Sequence, residues 1–592
     1  MTNSPRRSRP RRSVRLAASA RIAASAVLVC GAGALVVAAA PPQNAPASNW
    51  PELRGDVTRR GVTEEKLMPP LSLLWRFTGG PQSPNPVSPS IVGDTAYFAA
   101  RGLGEAGGGV LYAIDTRTGA RKWQYPSDNN GLRDRNTFQT APLVADGRVY
   151  VGASDGLMYV LDANNGREVV RFRTGRQIAS APALVDGTLY FGSNDGTFYA
   201  LNPESGEPVW KQLYRAGDGV NSAPILADSF VFFTTNDNNI HAIKQATGIF
   251  RWKARLPFRV LANAPIYADN SLFVPNGPRL TAIQPASGST RWNMDVESDI
   301  LTAPATEGGV IYVTCRQRTG SGALLYAMRT NNGRAFWSQP AVLPVAPSAA
   351  PIISGDVIYI PTVRGVLLAV SREDGHLLWE YTAQPSSARP LPAGYTPPAS
   401  PFSAALSISS NTLFAVSDDG TLSAFRPDAP DATGPDISGL YPPPGRAVSG
   451  TPPVTFAANV LDMGSGLDPA SLDVKLDGQK VGAEYDSNRS LVYYQTKASG
   501  KIIDRPLENG RHTISISAKD WRGNVAEQNW SFLVNNALPP ASATREAPRV
   551  TAPRPNPSGS GTPGNPNGGG RRGGGGGRRG NGGTGGGASG GL

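Results

Sequence analysis

The sequence predicts an all-β fold, and three observations carry that prediction. A phrase typified by LYAIDTRTGARKWQY, Leu111 to Tyr125, returns six more times before residue 380. Its turn glycines are Gly119, Gly166, Gly206, Gly248, Gly288, Gly333 and Gly375, spaced by 47, 40, 42, 40, 45 and 42 residues. Between the phrases, apolar runs of four to six residues alternate with turn signals, which is the pattern of short strands. Self-similarity at such a period means one supersecondary unit repeated, each copy burying what its neighbour leaves exposed.

One repeat, Ala181 to Gln212, shows the unit. APALV reads as the first strand and TLYFGS as the second. Asn194-Asp195-Gly196 supplies the positive φ angles of a tight hairpin. TFYALN is the third strand, Gly206 takes the left-handed position of the next turn, and EPVWKQ is the fourth. Four antiparallel strands in about 40 residues make one blade of a β-propeller.

The columns of the repeat predict its packing. A small residue recurs in the third strand: Ala113, Val160, Ala200, Ala242, Ala282, Ala327, Ala369 and Ala424. Four residues after the turn glycines stand Trp123, Trp210, Trp252, Trp292, Trp337 and Trp379, with Val170 replacing the ring once. The small column is expected to admit this tryptophan from the neighbouring sheet, a large apolar payload for each blade. The columns are structural.

Ser/Ala-Pro pairs open first strands at Pro89, Pro142, Pro182, Pro224, Pro265, Pro304 and Pro351. An eighth unit starts near Ala405 and stops after Phe425 without a fourth strand. The missing strand stands at the other end, in LSLLWRF (Leu71 to Phe77), where Trp75 has no blade before it. The expectation is an eight-bladed ring, residues 71–427, closed by residues 71–77 on the third strand of the last blade. Closure removes the open sheet edges that invite aggregation.

The rest of the chain divides by composition. Residues 22–40 are an uncharged, weakly apolar run behind an Arg-rich start, read as a signal peptide or a single membrane anchor, 1–40. The reading is an exported protein, periplasmic, extracellular or anchored facing outward. Any membrane contact is assigned to residues 22–40, if they are not removed. Residues 41–70 form a leader, 428–453 a Pro/Gly linker, and 454–536 a run of short alternating strands. Residues 537–592 are Pro-rich, then Gly- and Arg-rich, and cannot bury a core; they are expected to be disordered. The two ends carry +7 and +6 of the net +12, leaving about −1 for the middle. The basic charge therefore argues for no specific nucleic-acid face on the folded part.

The recurring A-x-D-x-x-T-G-x-x-x-W phrase resembles the PQQ-like propeller family over roughly residues 50–427. That is the fold of pyrroloquinoline-quinone (PQQ) alcohol dehydrogenases and of the propeller lipoprotein of the outer-membrane assembly machine. WPELRGDVTRRG, Trp50 to Gly61, resembles the segment preceding such propellers, so Arg54-Gly55-Asp56 within it is read as a chance adhesion triplet. Residues 454–536, ending in ISAKDWRGNVAEQNWSFLV, resemble a bacterial immunoglobulin-like sandwich.

The resemblance implies a test for chemistry. Quinone dehydrogenases of this fold carry an adjacent Cys-Cys pair over the cofactor, a calcium ion on oxygen ligands and a catalytic Asp. The chain has only Cys30 and Cys315. Asp155, Asp195, Asp237 and Asp419 share one hairpin column, where Asp serves the turn. His241, His376 and His512 show no metal-ligand spacing. Asp462, Asp468 and Asp520 are acidic turn residues with the chemistry of calcium ligands. The sequence therefore assigns no catalytic residue, cofactor site or metal site. A PQQ- and calcium-dependent dehydrogenase of alcohols or sugars, and an envelope assembly factor, stand as alternatives.

Recognition is expected in loops carried by the rigid ring. Four connections are long: 101–109, 126–139, 316–322 and 384–402. All join second to third strand or one blade to the next, which puts them on one face. Arg133, Arg135, Arg316, Arg318 and Tyr395 are the candidate contacts to an envelope protein or glycan.

Overall fold

The computed structural model describes residues 49–79, 87–101, 108–127, 131–258, 265–320, 322–383, 400–487, 489–498 and 504–540. Residues 1–48, on which the signal or anchor expectation falls, Tyr395 and residues 541–592 lie outside them. The described residues fall within one compact unit, Ala47–Leu592. Their helical content is one 3-10 turn, Arg133–Arg135.

Eight antiparallel sheets succeed one another from residue 72 to residue 426, numbered here as blades 1 to 8. Blade 1 comprises Ser90–Val92, Thr95–Arg101, Gly109–Asp115 and Arg121–Tyr125. In blade 8, Ser407–Ser409, Thr412–Val416 and Thr421–Arg426 come from the end of the repeat array, and Ser72–Thr78 comes from its start. Trp75 lies opposite Ala424 in that pair, so the first and last strands of the array share one sheet. Blade 7 carries a fifth strand, Val62–Thr63, running parallel to Ile352–Ser354.

The small column works differently from the expectation. The large residues beside it belong to its own sheet. Tyr97 and Trp123 flank Ala113 on the second and fourth strands, and their rings meet across it at 5.8 Å. The same aromatic pair recurs as Phe232 and Trp252 over Ala242 at 5.9 Å, and as Phe273 and Trp292 over Ala282 at 5.7 Å. A larger side chain in the middle row would force the two rings apart.

The tryptophan then reaches the next blade. Its indole N–H donates to a carbonyl there: Trp75 to Thr116 at 2.9 Å, Trp123 to Ala163 at 2.9 Å and Trp337 to Arg372 at 3.1 Å. Its ring covers the next turn glycine. A Cβ at Gly119 would lie 2.7 Å from Trp75, and one at Gly166 2.5 Å from Trp123. Trp210, Trp252, Trp292 and Trp337 cover Gly248, Gly288, Gly333 and Gly375 in the same way. Where Val170 replaces the ring, Phe172 two residues on covers Gly206. We expect Gly119→Ala to cost about 2–4 kcal/mol, combining left-handed strain with a steric clash. Gly147→Ala, at φ +70° with open space around it, should cost about 1 kcal/mol. Equal losses in chemical denaturation would remove the wedge from the account.

Trp379 of blade 7 has no such turn to cover, because blade 8 takes its fourth strand from the N-terminal side. The following domain replaces it. Trp379 Nε1 donates to Ser465 O at 2.7 Å, Leu73 N to Gly464 O at 2.9 Å, and Trp521 Nε1 to Glu380 O at 3.1 Å. The loop Asp462 to Gly466 thus stands where a blade turn would be.

That domain is a two-sheet sandwich. One sheet contains Asp436–Tyr441, Thr455–Leu461, Leu491–Gln495 and Glu484–Asp486. The other contains Ala447–Val448, Val525–Val534, Gly510–Asp520, Leu467–Leu476 and Gln479–Lys480. Phe456, Val474, Ile514, Trp530 and Phe532 fill the space between them. This corrects the linker 428–453. Asp436–Tyr441 and Ala447–Val448 are strands of the sandwich, and their prolines and glycines sit at its bends.

Candidate functional site

The leader is the part of the chain whose course its sequence least suggests. It runs along the innermost strands near the propeller axis. Trp50 bridges Ile91 in blade 1, and Pro51 O accepts from Val144 N in blade 2 at 2.9 Å. Thr58 O accepts from Tyr267 N in blade 5 at 2.9 Å, and Gly61 O from Ile353 N in blade 7 at 2.8 Å. Val57 and Arg60 do the same for blades 4 and 6. Glu65 completes the circuit, its carboxylate accepting from Ser410 N and Asn411 N of blade 8, both at 2.7 Å. A backbone with no repeat of its own thereby meets inner strands that recur around the ring.

Above this segment lies a cavity of about 280 Å³. Its wall is built where the chain enters the first strands: Thr140 and Ala141 of blade 2, Thr302 and Ala303 of blade 6, Ala350 of blade 7 and Ala404 of blade 8. Alanines keep it open. The hydroxyls also brace the fold: Thr140 Oγ1 accepts from Gly152 N at 2.9 Å, and Ser180 and Ser222 repeat the bond in blades 3 and 4. Leu53 and Arg54 of the leader close the inner end.

Arg54 is 2 % exposed. Its Nη2 donates to Pro304 O at 2.6 Å, Arg60 O at 3.2 Å and Pro351 O at 3.4 Å. Burial lowers its guanidinium to about 9; Asp56 opposes that shift and Arg59 adds to it. It therefore stays charged at neutral pH. Arg59 is equally buried but paired, donating to Glu52 at 2.8 Å. Desolvation raises Glu52, and Arg59 opposes the shift. The burial of Arg54 also removes the Arg-Gly-Asp triplet from the reach of any adhesion receptor. Nothing in the periodic pattern singled Arg54 out; the available signal was three arginines in a short leader without strand alternation.

The cavity lies toward the ends of the blades that carry the long connections. Two of these touch: Gly109 N donates to Asn136 O at 2.7 Å, and Leu132 N to Gly109 O at 2.9 Å. Arg133 and Arg135 stand exposed on the 3-10 turn between blades 1 and 2. Arg316 and Arg318 are exposed at blade 6, where Arg318 Nε donates to Glu297 O at 3.0 Å. The structure brings the arginines together as two pairs, and among the described residues no contact joins one pair to the other. Tyr395 lies outside the described residues.

The remaining candidates have structural roles. Asp155 Oδ1 accepts from Leu157 N at 3.0 Å and Asp195 Oδ1 from Thr197 N at 2.8 Å, as the turn column predicts. His241 is buried against Phe233 with ring centroids 5.1 Å apart, and Tyr214 hydrogen-bonds its Nδ1 at 3.0 Å. Burial lowers it to about 4, so it is neutral. Cys315 is buried and free. Asp462 and Asp520 do approach each other, but with Asp431 and without Asp468; one oxygen from each lies within 4.8 Å of the others. They accept from the backbone of their own loops, including Gly466 N to Asp462 at 2.8 Å and Asn524 N to Asp520 at 2.8 Å. Asp431 was hidden in the supposed linker.

Comparison with known proteins follows the repeats. A family model described as "PQQ_2: Outer membrane protein assembly factor BamB" matches residues 71–212, 157–257 and 240–439, together more than half of the chain. The chain belongs to the PQQ_2 family. No curated protein matches it. Among solved structures it is similar to quinohemoprotein alcohol dehydrogenase ADHIIG from Pseudomonas putida HK5, at 13 % identity and a TM-score of 0.50. That match covers 66 % of this chain and 83 % of the other. It is also similar to quinohemoprotein alcohol dehydrogenase from Comamonas testosteroni, at 15 % identity and TM-score 0.49, covering 65 % and 82 %. BamB from Moraxella catarrhalis matches at 15 % identity and TM-score 0.44, covering 60 % of this chain and 99 % of that one. At these identities the ADHIIG likeness establishes a shared fold.

In this PQQ_2 member the described residues that line the axial cavity do not form a fitting donor set for a quinone and its calcium. Among the described residues, the cavity lining holds no carboxylate to ligate calcium and no aromatic ring to stack on a quinone. Among the described residues no helix is long and apolar enough to cross a membrane.

Proposed function

We propose that the chain is an exported, non-catalytic scaffold that binds a partner in the bacterial envelope through the face bearing its long connections. The observation that carries the reading is the placement of the insertions. Short turns prevail around the ring, and the long connections belong to the blade ends beside the cavity, with Arg133, Arg135, Arg316 and Arg318 exposed among them. Exposed guanidinium groups favour a partner presenting carboxylates or phosphates, on protein or glycan. The family's description as an outer membrane protein assembly factor supports an envelope assembly partner. The dehydrogenase alternative draws no support from the cavity lining.

The test is a crosslinked pulldown from envelope extract with the full chain and with the four arginines replaced by serine. Loss of one or more specific partners is expected, with melting behaviour unchanged because all four side chains are exposed. Recovery of every partner by the variant would discard this face.

A further inference from the structure

The fourth strand is the outer edge strand of each blade. Along it, a buried ring that reaches the next blade alternates with side chains that point away. In blade 2 Arg171 and Arg173 flank Phe172, and in blade 4 Lys253 and Arg255 follow Trp252 at alternate positions; all four cations are exposed. Blade 3 between them exposes Lys211 beside Trp210, and Arg215. With Arg167, Arg176 and Arg251, the segments 167–176, 207–215 and 249–258 hold nine cations against two carboxylates, Glu168 and Glu207. The folded middle of the chain nets about −1, so these charges are gathered on three successive blades. Arg171 pairs with Glu168 at 2.9 Å and Lys253 with Asp237 at 3.5 Å; the other seven cations form no ion pair among the described residues. The same arc exposes Val169, Val209, Ile249 and Phe250, each between 48 % and 60 % accessible. Charges on an edge strand also keep sheets from pairing edge to edge. That need is the same in every blade, yet the position after the wedge is Gln124, Asn293, Ser338 and Glu380 in blades 1, 5, 6 and 7. In blade 8 it is Arg76, which is bonded to Tyr381 Oη at 2.6 Å. Edge protection therefore does not account for the arc.

We propose that the outer edge of blades 2 to 4 is a docking surface for an anionic lipid membrane. Phosphate-bearing headgroups answer the guanidinium and ammonium groups that the fold leaves unpaired. A soluble anionic polymer would use those cations and leave the apolar side chains in water. A membrane uses both, because binding strength at its surface is the sum of buried apolar area and attraction to anionic lipid. Val169, Val209, Ile249 and Phe250 enter the boundary between headgroups and acyl chains. The Arg and Lys stems lie along that boundary and keep their charged ends among the phosphates. This surface is on the edge strands, whereas the long connections lie at the blade ends beside the axial cavity, so the chain can engage a membrane and a partner at once.

The test is cosedimentation of the full chain with vesicles of phosphatidylglycerol and phosphatidylcholine in equal parts, and with phosphatidylcholine alone, with hydrogen exchange read on the bound chain. Binding to the anionic vesicles alone is expected. Exchange should slow in 205–215 and 249–258 and stay unchanged in the edge segments 334–343 and 376–382 of blades 6 and 7. Arg173→Glu, Lys211→Glu and Arg255→Glu together should weaken binding about ten-fold or more. All three side chains are exposed, so melting should be unchanged; the exchange pattern of the parent decides the matter even if that variant misfolds. Ile249→Ser with Phe250→Ser keeps every charge and should weaken binding about three-fold or more. Parent-like binding by this pair would reduce the contact to ionic attraction and overturn the lipid assignment. Vesicle binding that leaves both protected segments unchanged would belong to the basic ends of the chain and overturn the proposal. So would slowed exchange with soluble polyphosphate but not with vesicles, which would assign an anionic polymer. Replacing Arg133, Arg135, Arg316 and Arg318 by serine should leave vesicle binding intact; a loss equal to that of the triple variant would move the contact to the long-connection face.

Discussion

Trp379→Ala should be the most damaging single substitution in the repeat, costing about 3–5 kcal/mol in equilibrium unfolding. Trp379 is fully buried, and it serves two domains at once. Its ring lies 6.1 Å from that of Tyr381 and 6.3 Å from that of Phe425, and its indole N–H is bonded to Ser465 of the sandwich. Trp292 occupies the same column in blade 5 but is only partly buried, and Trp292→Ala should cost less. The same contacts predict that removing residues 430–540 lowers the melting temperature of the propeller, since Trp379, Leu73 and Glu380 lose their cover. A propeller that melts unchanged without the sandwich would mean that the Asp462 to Gly466 loop merely rests on blade 7.

Glu380→Gln should stabilise the protein at pH 8 by about 3 kcal/mol and leave it nearly unchanged at pH 4. Burial pushes the Glu380 carboxyl up to about 7 from an ordinary 4.5, with Asp468 adding to the shift. Glu380 shares a small void at the junction with Thr382, Leu461, Asp462, Leu467 and Tyr485, and none of these is a cation. Below pH 4.5 the folded and unfolded chains both hold the proton, and there is no penalty. Between 4.5 and 7 the unfolded chain ionises first, so stability falls as pH rises; above 7 the full penalty remains. Asp462, pushed up to about 6 chiefly by burial, adds a slope of the same sign at lower pH. His241, held down to about 4, adds one of opposite sign below its ordinary 6.5. The readout is therefore the difference between Glu380→Gln and the parent from pH 6 to 8, where those two contributions largely cancel. Parallel curves over that window would show that Glu380 is solvated.

These junction effects have no trace in the sequence, whereas the ring does. The phrase around each turn glycine encodes a local demand, a ring over a Cβ-free turn, and local demands repeat. The orphan phrase at Trp75 was legible for the same reason: a fourth strand without a blade must find one. The flanking aromatics were misassigned because Ala113 and its copies record only that something large lies nearby. Register decides that Tyr97 and Trp123 lie in the same sheet. The leader was illegible because backbone carbonyls make most of its bonds to the first strands, and these are the same in every sequence. The strands at Asp436 and Ala447 were masked by prolines that serve bends. Arg54 was overlooked because its significance arises from burial and from what fails to pair with it. The exposed arginines were legible as loop residues, and what the structure adds is their division into two pairs.

The leader also sets an order in time. Residues 61–78 emerge before any blade, yet their partners lie at Ile353, Ser410 and Thr421, roughly three hundred residues later. Contacts so distant in sequence are slow to form. Seven blades can assemble one after another as they appear, each covering the last. That part of the leader must wait until the seventh and eighth sheets exist to receive it, although Trp50 and Pro51 can meet blades 1 and 2 much earlier. The sandwich arrives last and caps Trp379. Maturation thus finishes at the two ends of the array together, and a chain stopped before Arg426 has no closed ring into which its own beginning can dock.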